Sequence, residues 1–358
     1  MTRFHNFSAG PGILPLEVLE EAQRDLVDHP HFGMSIMETS HRARPWVERM
    51  EAVDRDLRSI AGIPDDFAIL LLQGGASSQF AMVPLNLLAG GASADYVDTG
   101  TWSSKAIAET GKIGFIARVA GTSRETGYDR IPTEINRDPR AGYLHYTSNN
   151  TIYGTQWASA PTSDVPLVCD ASSDILSKPF DFDGHDLVFA GAQKNMGPAG
   201  VTVVIVRRDA LSRAPRDLPT MWKYKTHADK GSMYNTPPVF AIYMLGLMLK
   251  WVAAQGSLEQ MQQRNEAKAA LIYDRIDGSG FYRGHAQSDS RSRMNVSFRL
   301  PTDELDTAFV NEAMEHGLVN LKGHRSVGGC RASIYNAMPE ASVQLLAEFM
   351  ADFETRRG

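Results

Sequence analysis

Along the first two-thirds of the chain, short apolar and β-branched runs alternate with stretches of helical period. No other feature constrains the fold as much. The runs are Phe67–Leu72, Ala94–Val97, Ile113–Val119, Tyr143–Tyr146, Val165–Cys169, Leu187–Ala190 and Val201–Val206. Each is bounded by Gly, Pro or polar clusters, which predicts buried strands. Leu16–Val27 and Trp46–Ile60 carry apolar residues at helical spacing, and an apolar helix is predicted over Val239–Ala254 with a polar one over Leu258–Ile276. Strands alternating with helices predict right-handed βαβ units and a mostly parallel sheet. The fold class is therefore α/β, a large domain whose sheet is flanked by helices.

The last hundred residues read differently, as a small α+β unit. Strands are expected at Met294–Leu300 and Ala332–Tyr335, and helices at Glu304–His316 and Ala341–Glu354. With 358 residues the chain exceeds what one core usually holds. We expect a large domain over 16–256 and a small one formed by 257–358 with the segment 1–15. Residues 1–15 read as an irregular lead-in and 211–238 as loop.

Composition excludes some classes of function. A net charge of -6 argues against nucleic acid or an anionic membrane as partner. Two cysteines cannot make a disulfide framework and suit a reducing compartment. The first residues lack the apolar core of a signal peptide, and the apolar run Ala241–Leu249 is far shorter than the roughly 20 residues of a membrane span. A cytoplasmic protein is expected. The ten His show no metal-ligand spacing, so no metal is expected.

The chemistry centres on Phe189–Val206, FAGAQKNMGPAGVTVVIV. Lys194 stands there between two strands, among groups too small to hide it. Burying an ammonium unpaired is costly or drives its pKa down, and a neutral amine is what attacks a carbonyl. A lysine reaching out to solvent is the ordinary alternative. Asp170, at the end of a strand, could keep a heteroaromatic ring nitrogen protonated or simply cap a turn. Trp102 offers a face for stacking, or for the core. Gly74-Gly75-Ala76-Ser77 follows a strand and opens a helix, an arrangement that aims free N–H groups at an anion. His41-Arg42 with Arg44, and His324-Arg325 with Arg331, are basic clusters read as lying in loops rich in small residues, which favours anion binding over a solvated helix face.

AQKNMGPAG resembles the cofactor-lysine segment of phosphoserine aminotransferases, within the class-V, aspartate-aminotransferase-like group of pyridoxal phosphate enzymes. FNFSAGPG, TSHRA, GGASSQF, TSNNTIYGTQW, CDASSDILSKPFD, GSMYNTPP and GHRSVGGCRASIYNAMP resemble that family's other signatures, in family order over essentially the whole chain. The resemblance implies the fold type I architecture of that group and a pyridoxal 5'-phosphate cofactor. Lys194 would form the internal aldimine and shuttle a proton, Asp170 would pair with the pyridinium nitrogen, and Trp102 would stack on the ring. Ala76, Ser77, Thr151 and Gln193 would bind the phosphate and ring oxygen. Asn235 and Thr236 would reach the cofactor phosphate of a neighbouring subunit, which implies a homodimer.

By the same resemblance Arg331 would hold the substrate α-carboxylate. His41, Arg42, His324 and Arg325 would take the phosphate of phosphoserine or the distal carboxylate of glutamate. The implied activity exchanges 3-phosphohydroxypyruvate and glutamate for phosphoserine and 2-oxoglutarate, in serine biosynthesis. Bacterial members often also serve vitamin B6 synthesis through 4-phosphohydroxy-threonine. One departure stands out: many members carry an Arg in the glycine-rich turn where this chain has Ala76-Ser77-Ser78. The alternatives are an alanine–glyoxylate-type aminotransferase, a cysteine desulfurase using Cys330, the one cysteine read as lying outside a strand core, and a non-catalytic protein that keeps the fold.

Overall fold

The computed structural model describes residues 3–213 and 217–358. Residues 1–2 of the lead-in and 214–216 of the expected loop lie outside them. The chain opens with β1 (His5–Asn6), α1 (Leu16–Asp25) and α2 (Arg44–Ala61). It continues with β2 (Phe67–Leu72), α3 (Gly75–Leu87), β3 (Ser93–Asp98), α4 (Thr101–Lys112), β4 (Ile116–Thr122) and β5 (Leu144–Thr147). A small hairpin of β6 (Asn149–Asn150) and β7 (Thr155–Gln156) precedes β8 (Leu167–Asp170), β9 (His185–Gly191) and β10 (Thr202–Arg207). Helices α5 (Arg208–Ser212), α6 (Tyr224–Asp229), α7 (Val239–Ala254) and α8 (Leu258–Asp277) follow. The chain ends with β11 (Arg283–Gly284), β12 (Asn295–Arg299), α9 (Asp303–Glu315), β13 (Leu318–Val319), β14 (Cys330–Ser333) and α10 (Glu340–Arg357).

Seven strands form the main sheet in the order β2-β10-β9-β8-β5-β3-β4. All neighbours are parallel except β10, which runs against both β2 and β9. It follows that β2 points the same way as β9, so the carboxyl ends of β2, β3, β5, β8 and β9 share one edge. Phe67 and Leu71 of β2 and Val203 and Ile205 of β10 face a core packed by α1, α2 and α7. Ala68, Leu70, Val204 and Val206 face the opposite core, closed by α3, α4 and α6. Burial on both faces is why these strands read as unbroken apolar runs instead of alternating ones. Each large apolar side chain so buried contributes roughly 1.5–3 kcal/mol.

A separate core forms from α8, β12, β14, α9 and α10, around Val296, Phe298, Phe309, Leu346 and Phe353. Phe7 and Ile13 belong to it, and β1 pairs in parallel with β13. The N-terminal segment is thus tied to the end of the chain by backbone hydrogen bonds that no local pattern announces.

Several predicted boundaries move. Ile113 caps α4, Gly114 has φ 86, and the strand expected at Ile113–Val119 is Ile116–Thr122. A glycine in that conformation ends the helix and delays the strand. The strand expected at Ala332–Tyr335 is Cys330–Ser333, and beyond it the Ile334 and Tyr335 carbonyls accept from Lys268. The expected loop 211–238 contains α6 and a 3₁₀ turn at Thr220–Trp222, both too short to show a period. Cys330, expected outside a strand core, lies within β14 and is fully buried. Among the described residues, no single helix is long and apolar enough to cross a membrane.

Candidate active site

The polar residues that follow the strands at the shared carboxyl edge converge as the alternation predicts. Asp170 ends β8, and the turn after its neighbour β9 carries Gln193 and Lys194. Thr151 lies in the hairpin loop after β5, on the other side of β8. The Lys194 Nζ donates to Thr151 Oγ1 at 2.7 Å and lies 5.9 Å from the centroid of the Trp102 ring. Burial pushes the ammonium down to about 8, against the pull of Asp170 and with help from Arg331. Asp170 is buried, and its carboxyl is pushed above the usual range chiefly by desolvation, opposed by Ser172 and by Lys194. One carboxylate oxygen accepts from the Ser172 N–H at 3.0 Å. The two groups thus each move toward neutrality, as an acid and a base taken out of water do.

The turn before α3 is shaped for an anion. Gly74 caps the helix with φ 95, and a Cβ there would collide with the Ser78 hydroxyl, so the position requires glycine. No side chain caps this N-terminus, whose first N–H groups at Ala76 and Ser77 face outward from the end of the helix. Ala76 is half-buried and Ser77 exposed. Trp102, in the first turn of α4, has a buried indole N–H without a partner. Nearby, Thr99 Oγ1 is buried and equally unpaired.

Arg331 reaches this group through its Nη1, which donates to the Thr151 carbonyl at 3.3 Å. His324 is half-buried, and its imidazole is pushed down by burial and then by Arg331, Arg325 and Lys105. Arg325 is exposed and lines a cavity of about 480 Å³ with Arg299, Asp303, Lys322 and Ser326. The lining of that cavity includes neither His324 nor Lys194.

Four of the sequence candidates stay apart within this chain. His41 is half-buried, Arg42 and Thr236 are exposed, and Asn235 lines a small cavity beside Gln73. Among the described residues, no hydrogen bond or ion pair joins any of them to Lys194, Asp170, Trp102 or Thr151.

Other residues join the site without having been singled out. Gly12 donates its N–H to the Gln193 carbonyl at 2.7 Å, and a Cβ there would meet the Tyr335 ring at 2.8 Å and the Lys194 carbonyl at 3.0 Å. Tyr335 Oη donates to the Ala9 carbonyl at 2.6 Å. Asp174 is buried and accepts from Ser148, whose N–H also donates to the Asp170 carbonyl. Lys105 holds its Nζ 4.6 Å from the Trp102 ring centroid. Its spacing of three residues from Trp102 on α4 was the available signal.

This donor set fits pyridoxal phosphate: an amine lowered toward neutrality, a buried carboxylate, an indole, and an uncapped helix N-terminus for the phosphate. Cys330 does not fit a thiol nucleophile, because burial pushes its pKa well up.

The comparisons with known proteins agree in extent and kind. The aminotransferase class-V family matches residues 4–346. The phosphoserine aminotransferase of Desulfatibacillum aliphaticivorans is 54% identical over 360 residues, covering 99% of each chain. The solved structure of phosphoserine aminotransferase from Bacillus circulans subsp. alkalophilus superposes with a TM-score of 0.97 at 52% identity, covering 99% of each chain. The pyridoxal-phosphate-bound phosphoserine aminotransferase of Trichomonas vaginalis superposes at 0.94 with 36% identity, covering 98% of this chain and 100% of that one. The chain belongs to the aminotransferase class-V family, among its phosphoserine aminotransferases.

Proposed function

We infer that the chain is a pyridoxal-phosphate-dependent phosphoserine:2-oxoglutarate aminotransferase that acts in serine biosynthesis. The carrying observation is Lys194: a half-buried amine, lowered to about 8, held between Thr151, Trp102 and Asp170. Bound pyridoxal phosphate supplies an aldehyde and a pyridine ring that can accept the electrons released at the substrate Cα. The chain's own residues do the rest. Lys194, as the neutral amine, would hold the cofactor's aldehyde, and its Nζ would carry the proton released at the substrate Cα, as a general base and acid. Asp170 would keep a proton on the ring nitrogen, and Trp102 would lie against the ring. Ala76 and Ser77, with Thr151 and Gln193, would hold the phosphate and the ring oxygen.

Arg331 holds the substrate α-carboxylate with its planar fork. His324 and Arg325, with His41 and Arg42, bind the second anionic group of phosphoserine or glutamate. Among the described residues of one chain, no hydrogen bond or ion pair joins His41, Arg42, Asn235 or Thr236 to Lys194's partners, which supports a homodimer in which each subunit completes the other's site. Met37, four residues before His41, is 61% exposed, and Tyr234, next to Asn235, is 47% exposed. Exposed apolar side chains of this kind are what a second copy would cover. We further propose the domain division 16–256 against 257–358 with 1–15, a cytoplasmic location, and use of 4-phosphohydroxy-threonine in vitamin B6 synthesis.

A coupled assay on purified protein tests the reading, following glutamate formed from phosphoserine and 2-oxoglutarate with alanine and serine as rival donors. Strong preference for phosphoserine is expected. Comparable rates with alanine would remove the two-anion pocket and leave an alanine-type aminotransferase.

A further inference from the structure

We propose that Lys105 is a specificity-determining residue, a cation that binds the second anionic group of the substrate at the mouth of the site. The proposal rests on the phosphoserine reading above. Lys105 lies in the second turn of α4, three residues after Trp102, so both side chains share one helix face. Its ammonium sits 4.6 Å from the Trp102 ring centroid, and the Lys194 ammonium sits 5.9 Å from the same centroid. Lys194 in turn meets Thr151, whose carbonyl accepts from Arg331. One indole and one threonine thus link three cations.

His324 and Arg325 extend the group, since Lys105, Arg325 and Arg331 all disfavour protonation of His324. Among the described residues, Lys105, Lys194, His324, Arg325 and Arg331 form no ion pair with any carboxylate. Elsewhere in the chain exposed lysines do find partners, as Lys112 finds Glu109 and Lys225 finds Asp229. Like charges gathered without counter-charge repel one another, and a bound anion relieves that repulsion. Two buried carboxylates, Asp170 and Asp174, act on Lys194, and neither forms an ion pair with the outer cations among the described residues. The Trp102 face holds the Lys105 ammonium, and no protein acceptor takes a hydrogen bond from its Nζ among the described residues, so it keeps donors for phosphate or carboxylate oxygens. The glycine-rich turn, Ala76-Ser77-Ser78, carries no cation of its own. Lys105 therefore supplies a positive charge that this turn lacks.

The test compares wild type, Lys105→Gln and Lys105→Arg as holoenzymes. The KM for phosphoserine is expected to rise about tenfold in Lys105→Gln, the scale of one charge-assisted hydrogen bond. The ratio of kcat/KM for phosphoserine to that for alanine falls by the same factor, and Lys105→Arg restores most of it. Calorimetric titration with inorganic phosphate gives a second readout, weakened in Lys105→Gln at low salt. If both donors lose rate together, or neither changes, Lys105 has no part in specificity. Failure of wild type itself to prefer phosphoserine would instead overturn the functional reading on which the proposal stands.

Discussion

Two lysines are drawn out of water in this molecule, and their fates are opposite. Lys194 and Lys268 are both pushed down by burial, to about 8 and about 7. Lys268, on α8, is 3% exposed and donates to the carbonyls of Ile334, Tyr335 and Met338 at 3.1, 2.8 and 3.3 Å. All three of its N–H donors are used, and a carbonyl can accept a hydrogen bond but never donate one, so this shell favours the ammonium form against the desolvation. Lys194 donates once, to a hydroxyl, and its remaining surroundings are an aromatic face and a carboxylate. A depressed pKa therefore does not by itself mark a reactive lysine. Spare hydrogen-bonding capacity at a half-buried position marks it, and of the two lysines Lys194 has that.

Exchanging the roles would break the comparison, and the largest effect belongs to Lys194. Lys194→Ala is expected to lower kcat/KM by more than about 10³-fold, since it removes both the covalent attachment and the proton carrier. Unfolding in urea should change by less than about 1 kcal/mol, because the alanine leaves no buried donor or acceptor stranded apart from the Thr151 hydroxyl. Substantial turnover in that variant would sink the mechanism. Lys268→Met should behave in reverse. It strands three buried carbonyls and is expected to cost about 3 kcal/mol of stability, with the folded fraction losing far less activity than Lys194→Ala. A thermal midpoint equal to wild type would show that those carbonyls find other donors and that Lys268 is dispensable.

How much of this was legible in the sequence differs between the two lysines for a physical reason. Lys194 stands between two β-branched runs in a turn of small residues, so local pattern alone made it conspicuous, and Asp170 and Thr151 were found at strand ends by the same rule. Lys268 sits in NEAKAALIYD, an ordinary amphipathic helix segment, and its partners lie 66 to 70 residues away. Nothing within a helical turn of it signals burial. Tyr335 and Gly12 escaped for the same reason, because they meet at the Lys194 turn through contacts of long sequence separation. The alternation was readable since both faces of β2, β3, β5, β8, β9 and β10 are buried, although the edge strand β4 is largely exposed, whereas β1 and β13, two residues each, pair only through tertiary context. Cys330 was misplaced because its strand begins directly after Gly328-Gly329, which read as loop.

The smallest effect is a shift of a pH midpoint, and it tests the electrostatics directly. The cofactor-free protein should capture pyridoxal phosphate through the neutral Lys194 amine. The capture rate is expected to climb about tenfold per pH unit up to about 8 and then level off, where an ordinary lysine would keep climbing toward about 10.4. Asp170 raises the Lys194 pKa and Arg331 lowers it, so Asp170→Asn should move the midpoint down and Arg331→Gln should move it up. The same displacement has a sign in stability. The folded pKa is below the unfolded one, so between about 8 and 10.5 the unfolded chain binds the extra proton, and stability contributed at this site rises with pH across that window. Below about 8 both states carry the proton, and the buried ammonium is a constant liability. A capture profile that still climbs past pH 9.5 would place Lys194 in water, beyond the reach of Asp170, and would leave Lys268 as the molecule's one desolvated amine of the two.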